Sequence, residues 1–300
     1  MDMTQNKCCR HGASLRRRRR RRRKILRSII FSCSIIAVAV FVAVGSRMIR
    51  SGDGRTNKYD VEAGNNTYDN AVIENSKISE KNKIQNNQLM LDDIMNSTQY
   101  PKQLQELALK NEEALEFVYD YPTEHVKEHT IDLTEEASMD SVPLFVQWDK
   151  RWGYEKYSGN FFAASGCGPT TLSMVVVYLT HNREASPIAV AKYSKEAGYS
   201  VDGSGSSWTL ISEGCMHYGV KAKTVALDES RMKAELDAGH PIVINVGPGD
   251  FTDTGHFMVI TGYDDEGFSI NDPNSIEKSG KRWLFKNISS QIRAVWSMYV

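Results

Sequence analysis

Cysteine is scarce where it would have to be plentiful to build a disulfide framework. Of five cysteines in 300 residues, Cys8 and Cys9 fall in a basic tail and Cys33 in an apolar run, leaving only Cys167 and Cys215 for the remainder. A disulfide-stapled secreted scaffold is thereby excluded. Phosphate-binding and metal motifs are missing too. The run "DGSGS" before Trp208 is a flexible loop without the strand, helix and lysine of a phosphate-binding loop, and nothing in the sequence implies a metal or a cofactor. Net charge is also absent, with 37 basic and 37 acidic side chains, but the balance conceals a separation. Residues 1–27 carry Lys7, Arg10, Arg16 through Arg23, Lys24 and Arg27 against Asp2, a surplus of +11, so the rest of the chain carries −11.

Alone, the arginine block would suggest neutralisation of nucleic-acid phosphates. The neighbouring segment removes that reading. Ser28–Ser46, "SIIFSCSIIAVAVFVAVGS", holds no formal charge over 19 residues, and at ~1.5 Å per residue it spans roughly 28 Å, close to the hydrocarbon thickness of a bilayer. Arginine-rich flanks stay on the cytoplasmic side, and Arg47 with Arg50 cannot balance eight consecutive arginines, so the N-terminus is expected inside and the bulk of the chain outside. A signal peptide cleaved after Ala43-x-Gly45 is the competing reading. Its apolar region would run to only ~7–15 residues, which favours an uncleaved anchor over residues 28–46. The expected partner of this end of the chain is accordingly a membrane, not a nucleic acid.

Residues 47–96 lack the apolar content to fold alone, being rich in Asn, Asp, Lys and Ser, and read as a flexible stalk with a reach of roughly 35–40 Å. The segment 97–140 includes "YPKQLQELALKNEEALEFVYDYP", Tyr100 to Pro122, where Leu104, Leu107, Ala108, Leu115 and Val118 recur near helical spacing; it reads as a helix docking on the domain C-terminal to it. From 141 to 300 the pattern is that of an α+β domain. Helices are expected in "CGPTTLSMVVVYLT", "PIAVAKYSKEAGY", "SSWTLISEGCMHYGV" and "DESRMKAELDAG", and strands in "PIVINVG", "HFMVITGYDD", "FSINDP" and "RAVWSMYV".

Chemistry concentrates around "AASGCGPTTLSMVVVYL". A thiol is a nucleophile as thiolate, and a helix N-terminus stabilises that charge through unpaired N–H groups. Cys167 sits at such a start, with Pro169 in the first turn and Gly166 and Gly168 removing side chains on both sides, which would let a substrate backbone approach. A base and an orienting group must accompany it. His256 stands at the start of an apolar strand, and Asp272 at the end of a second strand joined to the first through "YDDEG". Neighbouring Asn271 is an alternative orienting residue, since adjacent strand residues point to opposite faces. Gln147, between Phe145 and Trp148, could join the Cys167 backbone N–H as an oxyanion donor. The other histidines are weaker: His11, His125, His129, His181 and His240 lie away from this pattern, and Cys215 with His217 do not share a helix face.

These motifs, "VPLFVQWDKRWG", "SGCGPTTLSMV", "GHPIVINVGPGDFTDTGHFMVITGYDDEGFSINDPNS" and the Tyr100–Pro122 run, resemble the extracellular peptidase-like proteins of cysteine-peptidase family thirty-nine, relatives of the bacteriocin double-glycine leader peptidases common in Gram-positive bacteria. The likeness covers roughly residues 100–300. It implies a papain-like fold, with Cys167 as nucleophile, His256 as base, Asp272 as orienting residue and Gln147 as oxyanion donor. No transporter accompanies the domain in this sequence, so a leader peptide cut inside the cell is not implied. A cysteine peptidase acting on a peptide or protein is the leading expectation; a transpeptidase or other acyltransferase on the same residues, and a non-catalytic peptide-binding module, are the alternatives.

Overall fold

The computed structural model describes the backbone of residues 63–300 and the side chains from residue 79 onward. The chain divides into two units, Met1–Val72 and Ile73–Val300, and every element named here belongs to the second unit apart from the first turns of one helix. The basic tail and the apolar span lie outside the described residues. Among the described residues no helix is long and apolar enough to cross a membrane.

The last two-thirds of the expected stalk is a helix, α1, Ala63–Asn96. Its polar composition cannot drive folding alone, but its last turns have a docking surface. Met90 and Leu91 pack on, and Ile94 is buried in, the cluster formed by Leu104, Leu107 and Leu115. Gln105 Nε2 donates to the Ile94 carbonyl at 3.1 Å and Asn87 Nδ2 to Glu112 Oε1 at 2.8 Å. Tertiary contact supplies what local composition lacks.

The run Tyr100–Pro122 is not one helix. It breaks into α2, Lys102–Lys110, a 3-10 turn at Glu112–Ala114 and short helices at Leu115–Tyr119 and Tyr121–Glu124. Asn111 makes the break: it leaves helical geometry at φ −136° and ψ 99°, and its side chain accepts the Glu113 N–H at 3.0 Å, competing with the helix for a donor. The buried apolar residues of this segment still share one cluster, which includes Phe161 and Ala163 just ahead of Cys167.

The remainder is α+β. Its three longest helices, α3 (Cys167–Thr180), α4 (Pro187–Glu196) and α5 (Glu229–Asp237), accompany a six-stranded sheet. Its strands are β1 (Lys221–Thr224), β2 (Ile242–Val246), β3 (His256–Asp264), β4 (Gly267–Asn271), β5 (Arg282–Trp283) and β6 (Ile292–Tyr299), antiparallel in the order β1-β6-β2-β3-β4-β5. Both faces of the sheet centre are covered. Val243, Phe257, Val259 and Met298 join Leu172, Met174 and Val176 of α3 in one core, while Ile242, Ile244, Met258 and Ile260 join Met232 and Leu236 of α5 in another. This is why β2 and the start of β3 read as unbroken apolar runs instead of alternating. The expected helix in "SSWTLISEGCMHYGV" is instead a short helix, Thr209–Ser212, and a 3-10 turn, Gly214–Tyr218, that ends at Gly219 with φ +74°. Between β3 and β4 the turn is tight, with Asp264 paired to Gly267; Gly267 has φ +133°, and a Cβ there would lie 2.6 Å from the Trp283 carbonyl oxygen.

Candidate active site

Cys167 is the first residue of α3, so its N–H is among those with no carbonyl one turn back within the helix. The helix is buried along most of its length, yet Cys167 itself is partly exposed. Its position is tied to the sheet one turn on, where the Thr171 hydroxyl donates to the Phe257 carbonyl at 3.0 Å. The flanking glycines do not open a passage for substrate as their small size suggests. A Cβ at Gly166 would lie 2.6 Å from the Phe162 ring, and one at Gly168 would lie 2.5 Å from Ser206 Oγ. They admit the protein's own side chains.

His256 begins β3, and its ring is held from below. Nε2 lies 2.7 Å from Asp272 Oδ1, the ring N–H donating to a carboxylate that is 1% exposed, against 7% for the imidazole. Nδ1 is then left for the thiol. Asp272 follows directly on β4, and Asn271 faces the other way, its Nδ2 donating to the carbonyls of Val142 at 3.2 Å and Pro143 at 3.0 Å. The pleat therefore separates the two adjacent candidates: Asp272 meets the imidazole, and Asn271 fastens the chain a few residues before Gln147.

Burial pushes the Cys167 thiol up, but hydrogen bonding and charge from His256, with the N–H groups of Phe257 and Gly168, outweigh it and hold the thiol below its ordinary value. Burial likewise opposes the imidazolium, yet the charge and hydrogen bond of Asp272, then the interaction with Cys167, raise His256 well above the usual histidine range. The two shifts run in the directions that stabilise a thiolate–imidazolium pair.

Gln147 is buried, 4% exposed, within the same neighbourhood. Its backbone N–H donates to the Pro273 carbonyl at 2.7 Å, joining the segment before the nucleophile to the loop after Asp272. Its Nε2 donates to the Ala163 carbonyl at 2.7 Å, and its Oε1 is buried without a partner, as is Asp272 Oδ2. Cys167, His256, Asp272 and Gln147 are thus joined through hydrogen bonds and neighbouring backbone. The remaining candidates lie elsewhere. Cys215 is a free, buried thiol pushed up to about 11 by burial, and His217 stacks on Tyr193 at 4.0 Å. His181 contacts the Ala137 carbonyl through Nδ1 at 2.8 Å, and His240 meets Glu235 at 3.0 Å. Among the described residues no group of three or more His, Cys, Asp or Glu is placed to hold a metal ion.

Sequence reasoning missed the residues that fix the Asp272 loop. The Asn274 N–H donates to Asp272 Oδ1 at 2.8 Å, the Asp272 N–H donates to Ser279 Oγ at 2.9 Å, and Trp148 Nε1 donates to the Asn274 carbonyl at 3.3 Å. The only signal was "NDPNS", a cluster of turn-forming residues after a strand.

Comparison with known proteins places the same region. No curated protein matches the chain. Among solved structures, the peptidase domain of Streptococcus ComA, a bifunctional ABC transporter involved in a quorum-sensing pathway, is 18% identical with a TM-score of 0.38, covering 53% of this chain and 96% of that one. A C39-like peptidase from Bacillus anthracis is also 18% identical, with a TM-score of 0.33 and coverage of 53% and 95%. Residues 139–300 match the Peptidase_C39 like family. That span, more than half of the chain, contains the thiol, the imidazole, the carboxylate and the buried amide, and the chain belongs to the Peptidase_C39 like family.

Proposed function

We propose that this domain is a cysteine peptidase that cleaves peptide bonds through an acyl-enzyme on Cys167. The observation that carries the reading is the buried contact between His256 Nε2 and Asp272 Oδ1 at 2.7 Å, which leaves Nδ1 for a thiol at a helix start. In this reading the Cys167 thiolate attacks the substrate carbonyl. Negative charge on the oxygen is met by the Cys167 backbone N–H and the second N–H of Gln147 Nε2, whose first is spent on Ala163. His256 gives its Nδ1 proton to the departing amine as the C–N bond breaks, then takes one from the water that attacks the thioester, so that the acid leaves and the thiolate–imidazolium pair is restored. Asp272 keeps the proton on Nε2 throughout and stabilises the imidazolium.

In the same proposal residues 28–46 anchor the chain, with the basic tail cytoplasmic and the domain extracellular, acting on a peptide or protein at the cell envelope. The +11 tail and the 19 uncharged residues after it support this arrangement. A peptide-library digest by the detergent-solubilised full chain, read by mass spectrometry, tests the reaction. New termini should accumulate with the wild-type protein and not with Cys167→Ala; equal patterns from the two would overturn the assignment.

A further inference from the structure

We propose that Asn111 and Glu113, more than 150 residues away in sequence and outside the matched family region, are positioning residues that set the Asp272 carboxylate against His256. The inference rests on the peptidase reading and adds to it a part for the helical segment before the domain.

The loop after β4 turns away from the sheet within a few residues and is held chiefly by side chains from elsewhere. Asn111 Nδ2 donates to the Asn274 carbonyl at 2.9 Å and to Asn274 Oδ1 at 3.0 Å. Glu113 Oε2 accepts the N–H groups of Ile276 at 2.7 Å and Glu277 at 3.0 Å, while Oε1 accepts the Ser275 hydroxyl. One carboxylate therefore takes three donors from the first turn of the short helix Ile276–Ser279. The far end of that turn reaches the carboxylate that matters. Ser279 Oγ accepts the Asp272 N–H at 2.9 Å, and the Asn274 N–H donates to Asp272 Oδ1 at 2.8 Å, on the same oxygen as His256 Nε2. Asn274 is thus gripped by Asn111 on one side and grips Asp272 on the other.

The clamp is stiff at its base. Asn111 Oδ1 accepts the Glu113 N–H at 3.0 Å, so the two clamping side chains share one turn. That turn is seated by Ala114, Leu115 and Val118 in the cluster that also contains Phe161 and Ala163. Ala163 carries the carbonyl that takes the Gln147 amide. One packed segment therefore supports both the short helix Phe162–Ser165 leading to Cys167 and the loop leading from Asp272. A segment serving only to cover apolar surface would need its leucines; it would have no need of an asparagine and a glutamate that spend five hydrogen bonds on one loop.

The test is the pH dependence of Cys167 alkylation by iodoacetamide in the full chain, followed by mass spectrometry of the Cys167 peptide so that Cys215 does not contribute. The wild-type thiol should react at a pH below the ~8.5 at which an ordinary thiol ionises. Glu113→Ala should move the thiol midpoint up by about one pH unit, which lowers the rate about tenfold on the acid limb of the profile, while leaving the alkaline plateau unchanged. Glu113→Gln, which keeps the shape and one acceptor oxygen, should fall between the two, and serves if the alanine variant does not fold. Tyr100→Phe removes a hydroxyl that donates to the Tyr119 carbonyl within the same segment, at 3.0 Å, and should leave the profile untouched. A wild-type profile in both Glu113 variants, or an equal shift in Tyr100→Phe, would overturn the positioning role while leaving the peptidase reading standing. A wild-type Cys167 that titrates as an ordinary thiol would remove the peptidase reading, and the clamp's purpose with it.

Discussion

At the scale of single residues, the protonation of two groups decides reactivity. Cys167 is held below and His256 above its ordinary value, so between those two limits the thiol has lost its proton and the imidazole has kept one. Activity should form a plateau across neutral pH. It should fall on the acid side as the thiolate gains a proton, and on the alkaline side as the imidazolium loses one; both limbs belong to the coupled pair, not to either residue alone. Measuring kcat/KM against pH checks this, and a profile rising only above about pH 8, where an ordinary thiol ionises, would contradict it. The substitutions should differ in size because the roles differ. Cys167→Ala should abolish turnover, and His256→Ala nearly so, since neither charge separation nor leaving-group protonation survives. Asp272→Asn should be milder, an amide still being able to accept the Nε2 proton. Gln147→Ala removes one oxyanion donor and should cost about 10²–10³ in kcat, or roughly 3–4 kcal/mol, with little change in Cys167 alkylation. Loss of alkylation in Gln147→Ala would instead mean that the side chain holds the short helix Phe162–Ser165 ahead of Cys167, through the 2.7 Å bond to the Ala163 carbonyl.

At the scale of elements, the start of α3 is packed so closely that glycine is the residue it tolerates. Gly168→Ala would bring a methyl within 2.5 Å of Ser206 Oγ, whose hydroxyl is already engaged with Tyr157 at 2.6 Å, and should lower stability by about 1–3 kcal/mol as an overpacking change. Ser206→Gly in the same chain should recover part of the loss. Thermal unfolding of the two variants decides it; an unchanged midpoint in Gly168→Ala would show that Ser206, in a two-stranded hairpin that pairs Ser200–Val201 with Gly205–Ser206, gives way freely. This packing also marks the limit of what could be read beforehand. The apolar strands, α3 and the turn between β3 and β4 were legible because periodicity, Pro169 and Gly267 act within a few residues. The placement of Cys167, His256 and Asp272 followed from hairpin geometry together with resemblance. The purpose of Gly168 was not legible, because Ser206 lies 38 residues away. The break at Asn111 was hidden for the same reason, its side chain being committed to Asn274 near the other end of the chain. The helicity of Ala63–Asn96 was hidden by composition, since three apolar side chains in its last turns meet a partner surface that only the fold creates.

At the scale of the whole molecule, charge is divided along the chain, and the division makes a prediction about sides. Residues 1–27 carry +11 and everything beyond them −11, with 19 uncharged residues beginning at Ser28. A tail of this kind is expensive to move across a bilayer and is held by the anionic inner leaflet, whereas an acidic domain crosses with little penalty. Protease added to intact cells should therefore digest the domain while sparing an epitope inserted before Arg16. A mature N-terminus near Ser46 would indicate a cleaved leader, and digestion of the epitope with the membrane still sealed would reverse the orientation. The outcome also bears on the chemistry of the two thiols. An extracellular setting is oxidising, and a nucleophile can persist there only if no second thiol is positioned to trap it. Cys215 meets that condition by being fully buried in the core and raised to about 11, a state in which it is neither accessible nor appreciably ionised at neutral pH. Cys215→Ala should accordingly leave both turnover and Cys167 alkylation intact in protein recovered from the cell surface, and non-reducing mass mapping should find the two cysteines unlinked. A quantitative Cys167–Cys215 bridge in active protein would defeat this account at once, because a thiol held as disulfide can attack nothing.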